Sequence, residues 1–401
     1  MVVDFEEALK LVRAAAETLQ QPQVEECALL DCVGRVLAVG VNADRDQPPF
    51  DRSTRDGFAL RADAVGAPLK VIGQVRAGEI WTGADVDGSS AVEIMTGAPI
   101  PAGADAVAMV EHVDRADGAI RLVAGRSLAA GENVVPRAAE ARDGTEVLAT
   151  GTRIGAAEIA LAAACGCSEL QVFARPRVGI VSTGDELVEV AETPGAHQIR
   201  NSNSYAIAAL VASAGGAPER LEIAPDTLAA IRDRVERGRK ADLLVFSGGV
   251  SMGQYDLVEE VLAESGAEFL FTGVKMQPGK PVVFGRLPAR EEMPERYFFG
   301  LPGNPISVQV TFHCFVDSLL RALGGEAAAT PKWAQATLLE GESAKSGITR
   351  LLPARMTGIG VRVVGWQGSG DLAANARANC YAKFLAGREY RKGEVIRVLL
   401  R

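Results

Sequence analysis

The chain has 401 residues, of which 48% are hydrophobic and 23% charged, and its net charge is −9. At about 100–200 residues per domain that length implies two to four domains, and the negative charge argues against a broad nucleic-acid surface. No apolar run reaches the ~20 residues a bilayer span requires and the start lacks an apolar signal core, so a cytoplasmic protein with neither nucleic acid nor membrane as partner is expected.

Residues 1–45 read as amphipathic helix, with Phe5, Leu9 and Val12 forming a stripe. Residues 46–148 carry Gly, Pro and short β-type runs such as "PLKVIGQV" and "DAVAMVEHV", which indicate a β-rich domain. A helix is predicted over 152–166, with Thr152 as N-cap and Gly166 near its C-cap. It is expected to fold back on the N-terminal helix. That makes 1–45 with 149–175 one helical unit and 46–148 an insertion in it.

From 176 to 328 the pattern alternates. "RVGIVST", "ERLEIAP", "ADLLVFSGG", "PVVFGRL" and "YFFGL" read as strands between helical segments, with Asp226 placed to cap one helix. Alternation of this kind implies a three-layer α/β/α domain with a mostly parallel sheet. Residues 329–401 return to short β runs and read as a small C-terminal β-barrel. Cys165 and Cys167 are too close for a C-x-x-C pair, and the other four cysteines sit among apolar neighbours. With only three histidines, reduced buried thiols are expected rather than zinc.

In open α/β sheets, ligands bind beyond the carboxyl ends of the strands. "STGDEL" (182–187), "SGGVSMGQYD" (247–256) and "GLPGNP" (300–305) all follow strands, so a parallel sheet places them on one rim. Gly248 and Gly249 let backbone N–H groups approach an anion, and Ser247 and Ser251 add hydroxyls. Asp185, Glu186 and Asp256 bring carboxylates that suit Mg²⁺ beside a phosphate, although Asp185 and Asp256 could instead cap helices. Lys280, in "PGKP", lies next to another strand. Neither G-x-x-x-x-G-K-[ST] nor G-x-G-x-x-G is present, which excludes a P-loop and a dinucleotide fingerprint. "PPFDRSTRDGFA" and "MTGAPIP" exceed what ordinary turns require.

Those motifs, with "NSNS", "PGKPVVFG" and "GLPGNPISV", occur in an order that resembles the MoeA family of molybdopterin molybdenumtransferases, which includes the gephyrin E domain. The resemblance spans essentially the whole chain. It implies an elongated homodimer whose α/β domain is similar to MogA. It also implies a reaction in which molybdate and adenylylated molybdopterin give molybdenum cofactor and AMP with Mg²⁺. The cleft is expected between the α/β domain of one subunit and the β-rich domain of the other. The molybdopterin adenylyltransferase and molybdoenzyme acceptors are the further partners it implies.

By motif position, the resemblance implies catalytic roles for Asp56, Glu186 and Asp256, with Glu186 and Asp256 holding the metal. It implies substrate binding by Thr96, Thr183, Gly184, Asp185, Asn203, Ser247, Gly248, Gly249, Ser251, Lys280, Pro302, Gly303 and Pro305, and molybdate binding by Arg350 and Ser369. Ala141, Pro225, Gly273 and Gln277 stand where the family has polar residues. Strand alternation would turn Lys275 to the same side as Gly273 and Gln277, so it is expected to replace their missing charge toward substrate. Arg52 and Arg55 are expected to add positive charge near Asp56. The alternative function is a divergent carrier or scaffold that binds molybdopterin or a partner and inserts metal weakly or not at all.

Overall fold

The computed structural model describes residues 1–249, 257–290, 293–344 and 347–401. A six-stranded sheet forms the centre, in the order Ala217–Arg220, Arg177–Ser182, Leu243–Ser247, Arg296–Leu301, Val283–Leu287, Glu268–Phe271. The first four are mutually parallel, and Val283–Leu287 runs antiparallel to both of its neighbours. The parallel strands inside the sheet are largely apolar on both faces, as a sheet covered on each side requires, whereas the edge strand Ala217–Arg220 carries Glu219 and Arg220. Val178, Ile180, Val245 and Phe299 face one core, while Val181, Leu244, Phe246 and Phe298 face the other.

The helix Phe5–Glu17 buries Phe5, Ala8, Val12 and Ala15. This stripe packs into the core of the α/β unit, against Phe315, Leu319 and Leu320, rather than folding onto residues 152–166. The rest of 1–45 departs from the helical reading. Val24–Ala28 is a strand paired antiparallel with Glu169–Phe173, and a single 3₁₀ turn follows it. Two predicted caps also move. The second helix spans Ala156–Ala164 with Gly155 as N-cap, where the Glu158 carboxylate accepts the Gly155 N–H at 2.8 Å. Thr227, not Asp226, caps Leu228–Gly238. In both cases the side chain nearer the first turn reaches the unpaired N–H groups.

A second six-stranded sheet is built from strands between residues 57 and 122, running from Ala106–Met109 at one edge to Val113–Ala116 at the other. The C-terminal β unit contains Trp333–Thr337, Thr349–Thr357, Gly360–Val363, Cys380–Phe384 and Val395–Leu400. It is sewn to the α/β unit, because Met276–Gln277 pairs in parallel with Thr349 and Arg350. Lys383 strengthens the same seam. It is buried, 2.5 Å from Glu6, with Phe5 and Trp333 rings beneath its ammonium.

Pro305–Thr311 continues through a π-helical turn, Phe312–Val316, into Asp317–Leu323. His313 lies on that turn, 6.0 Å from the Tyr381 ring of the C-terminal unit. Its Nε2 is buried with no hydrogen-bond partner among the described residues. Burial, then the charges of Arg401 and Lys332, push its pKa down to about 4. Between the ordinary value near 6.5 and that value, the unfolded chain binds a proton that the folded chain refuses. The neutral imidazole therefore supports the fold above about pH 6.5, and that support is lost as pH falls toward 4. Expected is a loss of about 3 kcal/mol between pH 7 and 4 from this group. His313→Phe should flatten that part of the stability profile, measured by denaturant unfolding at a series of pH values.

Candidate active site

Strand register brings the strand-end loops together. Ser182 lies opposite Ser247, and Ser247 opposite Leu301, at the carboxyl ends of three adjacent parallel strands. Hydrogen bonds then lace the loops. Thr183 N–H donates to the Ser247 carbonyl at 3.2 Å, and Gly248 N–H donates to the Leu301 carbonyl at 3.3 Å. Asn203, in the first turn of Ser202–Ser213, donates its amide to Ser247 Oγ at 3.0 Å and to the Gly303 carbonyl at 2.7 Å. Asn201 caps this helix by accepting from Ser204 N–H, and its oxygen also meets Ser182 Oγ at 3.2 Å.

Close approach explains the glycines. Gly248 has φ +89°, and a Cβ there would stand 2.7 Å from the Thr183 carbonyl oxygen. Only glycine tolerates both conditions. Thr183 Oγ1, Asn203 Oδ1 and Asn201 Nδ2 are buried with no hydrogen-bond partner among the described residues. Buried polar groups are ordinarily paired. Three such atoms at one sheet end are groups available to a ligand. Ser251 and Asp256, expected at this rim, lie outside the described residues.

Beside the rim is a cavity of about 370 Å³. Pro278, Gly279, Lys280, Pro302, Asn304 and Ser307 line one side, and Trp366, Gly368 and Ser369 of the C-terminal unit line the other. The Ser369 carbonyl accepts the N–H of Ile306 at 2.9 Å, which pins that loop over the start of the helix. Pro305 occupies the first helical turn, where its missing N–H is harmless. Lys280 is exposed and is the only charged side chain among the described lining residues. Asn304, Ser307 and Trp366 were not singled out from the sequence. The signal available was the position of Asn304 and Ser307 at the start of the helix after "GLPG", on the same rim.

Carboxylates at the rim differ in their commitments. Asp185 Oδ1 accepts the Asp226 N–H at 3.0 Å and so behaves as a loop cap. Pro225, with no N–H, sits beside that contact. Glu186 folds its carboxylate back over Gly184, where φ is +143° and a Cβ would be 2.5 Å from Glu186 Oε2. No group of three or more His, Cys, Asp or Glu suited to a metal occurs among the described residues.

Asp56 and Thr96 meet each other in the β-rich unit. Asp56 Oδ1 accepts from the Thr96 N–H at 2.6 Å and from its hydroxyl at 2.8 Å. Those bonds, the backbone one first, hold the Asp56 pKa below the ordinary carboxylate value. Neither residue lines the cavity of its own chain. Arg52 does not supply free charge nearby: Glu140 binds it at 2.6 Å. Arg55 is exposed, and its guanidinium has no ion-pair partner among the described residues. Ala141 exchanges backbone hydrogen bonds with Gln47, so the position acts there through its main chain.

Lys275 departs from the alternation argument. Gly273–Val274 pairs with the N-terminal strand, Met276–Gln277 pairs with Thr349–Thr357, and a bend at Lys275 separates them. Alternation holds only within a continuous strand. The Lys275 ammonium lies 3.1 Å from Asp4 and does not line the cavity. Arg350 sits beside Gln277 by register, yet its guanidinium is held by Glu342 at 2.7 Å and by the Ser343 carbonyl. It too is absent from the described lining.

Comparison with known proteins agrees with this architecture. The chain matches the MoeA N-terminal region (domains I and II) over residues 3–166, the probable molybdopterin binding domain over 179–322 and the MoeA C-terminal region (domain IV) over 335–400. It is 31% identical to the molybdopterin molybdenumtransferase of Staphylococcus epidermidis over 406 aligned positions, covering 97% of this chain and 95% of that protein. It is 38% identical to the Nostoc sp. enzyme of the same name over 300 positions, covering 73% and 67% respectively. A solved structure of the molybdopterin biosynthesis MoeA protein from Pyrococcus horikoshii is 30% identical with a TM-score of 0.73, covering 100% of this chain and 99% of that one. With all three regions matched in order and along nearly its whole length, this chain belongs to the MoeA family.

Proposed function

We propose that the protein inserts molybdate into adenylylated molybdopterin, releasing AMP and molybdenum cofactor. The observation that carries this reading is the junction of the laced loops with a cavity; among the described residues the loops hold three buried polar atoms without a partner, and the cavity is lined by one ammonium with no ion-pair partner. Full-length relatives that carry the enzyme's name support it and do not favour the carrier or scaffold alternative.

The rim suits the phosphorylated pterin and the cavity suits the oxyanion. The Gly249 N–H and the Ser247 hydroxyl cradle the phosphate, and Asn203 and Thr183 offer partners to the pterin's polar edge. Lys280, Ser307 and Ser369 face molybdate. The two dithiolene thiols must reach molybdenum, their protons leaving with one oxide as water, while a water molecule attacks the phosphoanhydride and AMP departs. Both changes move negative charge, and fixed donors stabilise it without the reorganisation that water needs. Pro302, Gly303 and Pro305 keep this wall rigid.

Mg²⁺ is proposed to be held through few protein ligands. Mg²⁺ typically takes one or two carboxylates and completes its shell with phosphate oxygens and water. Glu186 offers one such carboxylate, and Asp256 is the second proposed ligand. When bound, the ion would polarise the phosphoryl bond and offset charge on departing AMP.

Asp56 and Thr96 enter from a second copy. They form a finished hydrogen-bonded pair away from the cavity of their own chain, which matches a homodimer with composite clefts. No helix among the described residues is long and apolar enough to cross a membrane, and the cytoplasm is the proposed compartment. The test is AMP release from adenylylated molybdopterin by purified protein, with and without molybdate. Release should depend on molybdate, and Glu186→Ala should lower the rate at least ~100-fold. Molybdate-independent release, or full activity in Glu186→Ala, would refute the assignment.

A further inference from the structure

Only Lys280 carries charge among the described residues around a cavity proposed to hold a dianion. Gln277 contributes a neutral amide at its edge, and Lys275 is turned to Asp4. A second cation is near at hand. Arg350 pairs by backbone register with Gln277, which itself lines the cavity. Its guanidinium points elsewhere, and the cause is local.

Glu342 Oε1 receives Arg350 Nη1 at 2.7 Å, and the Ser343 carbonyl receives Nη2. The Phe384 ring lies 5.5 Å beneath the guanidinium carbon. Side-chain exposure is 10% for Arg350 and 22% for Glu342. A charge-assisted pair in such a place is strong and directional. Glu342 is itself held in position by reciprocal backbone hydrogen bonds with Tyr390, at 2.8 and 3.0 Å. Its main chain is therefore anchored, and the carboxylate is held in turn by Arg350, behind the residues that line the cavity.

We infer that Glu342 is a specificity-determining residue of this site: it withholds Arg350 from the oxyanion and sets how weakly the cavity binds molybdate. This rests on the reading of the cavity as the oxyanion site. Two physical effects act together. The carboxylate occupies the donors that a tetrahedral oxyanion would otherwise take. Its negative charge also offsets, at short range, the cation that the neighbouring strand carries beside Gln277. Molybdate then meets essentially one ammonium and the hydroxyls of Ser307 and Ser369. Capture relies on supply of the oxyanion more than on tight binding, and discrimination among tetrahedral dianions falls to the hydroxyls and the cavity's shape.

The experiment is titration calorimetry of the full-length protein with sodium molybdate at fixed ionic strength. The variants are Glu342→Gln, Glu342→Asp, Lys280→Ala and the double variant Glu342→Gln/Arg350→Ala. Glu342→Gln should bind molybdate about tenfold more tightly than the wild type, the effect of freeing one charged partner. Glu342→Asp should restore wild-type affinity, and the double variant should lose the gain. A gain of affinity is not what general structural damage produces. If Glu342→Gln does not fold, Glu342→Ser removes the same charge and serves instead. A folded, charge-removing variant that binds no more tightly than the wild type overturns the inference. Should Lys280→Ala also bind like the wild type, the oxyanion reading of the cavity fails as well. If Lys280→Ala alone weakens binding, that reading stands and only the role of Glu342 is lost.

Discussion

Gly248→Ala is expected to lower molybdate-dependent AMP release by about 100-fold, the scale on which a misplacement near 1 Å slows an oriented reaction. The added Cβ would be 2.7 Å from the Thr183 carbonyl oxygen, a backbone atom that cannot swing aside. The φ of +89° is also strained for any L side chain. Relief must come from moving Thr183 away from Ser247, or Gly248 away from Leu301, and either motion unlaces the rim. Strain of this kind costs about 1–3 kcal/mol, so the variant should still fold. Steady-state AMP release beside a thermal unfolding curve separates the two effects. Full turnover in a folded Gly248→Ala would mean that the loop spacing does not matter to the reaction.

Glu326→Ala should lower stability by about 3–5 kcal/mol, the usual result of deleting one partner of a buried ionic cluster. Glu326 Oε2 accepts from Arg153 at 2.7 Å and from Arg321 at 3.0 Å; Arg321 is buried and the Glu326 side chain is 11% exposed. Burial alone would raise the carboxyl pKa. The bonds from Arg321 and Arg153 outweigh it and hold the value below ordinary. The stabilisation is thus present above the ordinary carboxyl range and is lost as pH falls through the depressed value. Arg153 also donates to the carbonyls of Gly34 and Ala214, so the cluster ties the N-terminal unit to the α/β unit. Without Glu326, Arg153 would lose its acidic partner among the described residues, and Arg321 would keep only Asp317, at 3.3 Å. Urea unfolding measures the loss, and a change below 1 kcal/mol would show the cluster to be marginal.

The rim was legible because it follows from sheet topology. Short apolar runs alternating with helices force a parallel sheet, and parallel strands end together. Ser182, Ser247 and Leu301 therefore had to be neighbours once the strands were read correctly. The uses of individual charges were not legible. Lys275 turned to Asp4 because a bend interrupts the strand, and no alternation rule anticipates a bend. The pairing of Arg350 with Glu342 depends on a bridge from Glu342 to Tyr390, a contact spanning 48 residues of sequence. Local signals also misplaced the caps at Thr152 and Asp226, since several polar residues near a helix start compete and only coordinates decide among them. The strand Cys380–Phe384 escaped notice because its five residues, "CYAKF", include a lysine that proves to be buried against Glu6.

A crystal soaked in molybdate, with the molybdenum located by anomalous scattering, tests the central claim most directly. The account predicts a single strong site in the cavity between Pro302 and Ser369, within hydrogen-bonding reach of the Lys280 ammonium, with Arg350 still on Glu342. Molybdenum bound only at a distant surface, with this cavity vacant at saturating molybdate, would contradict it.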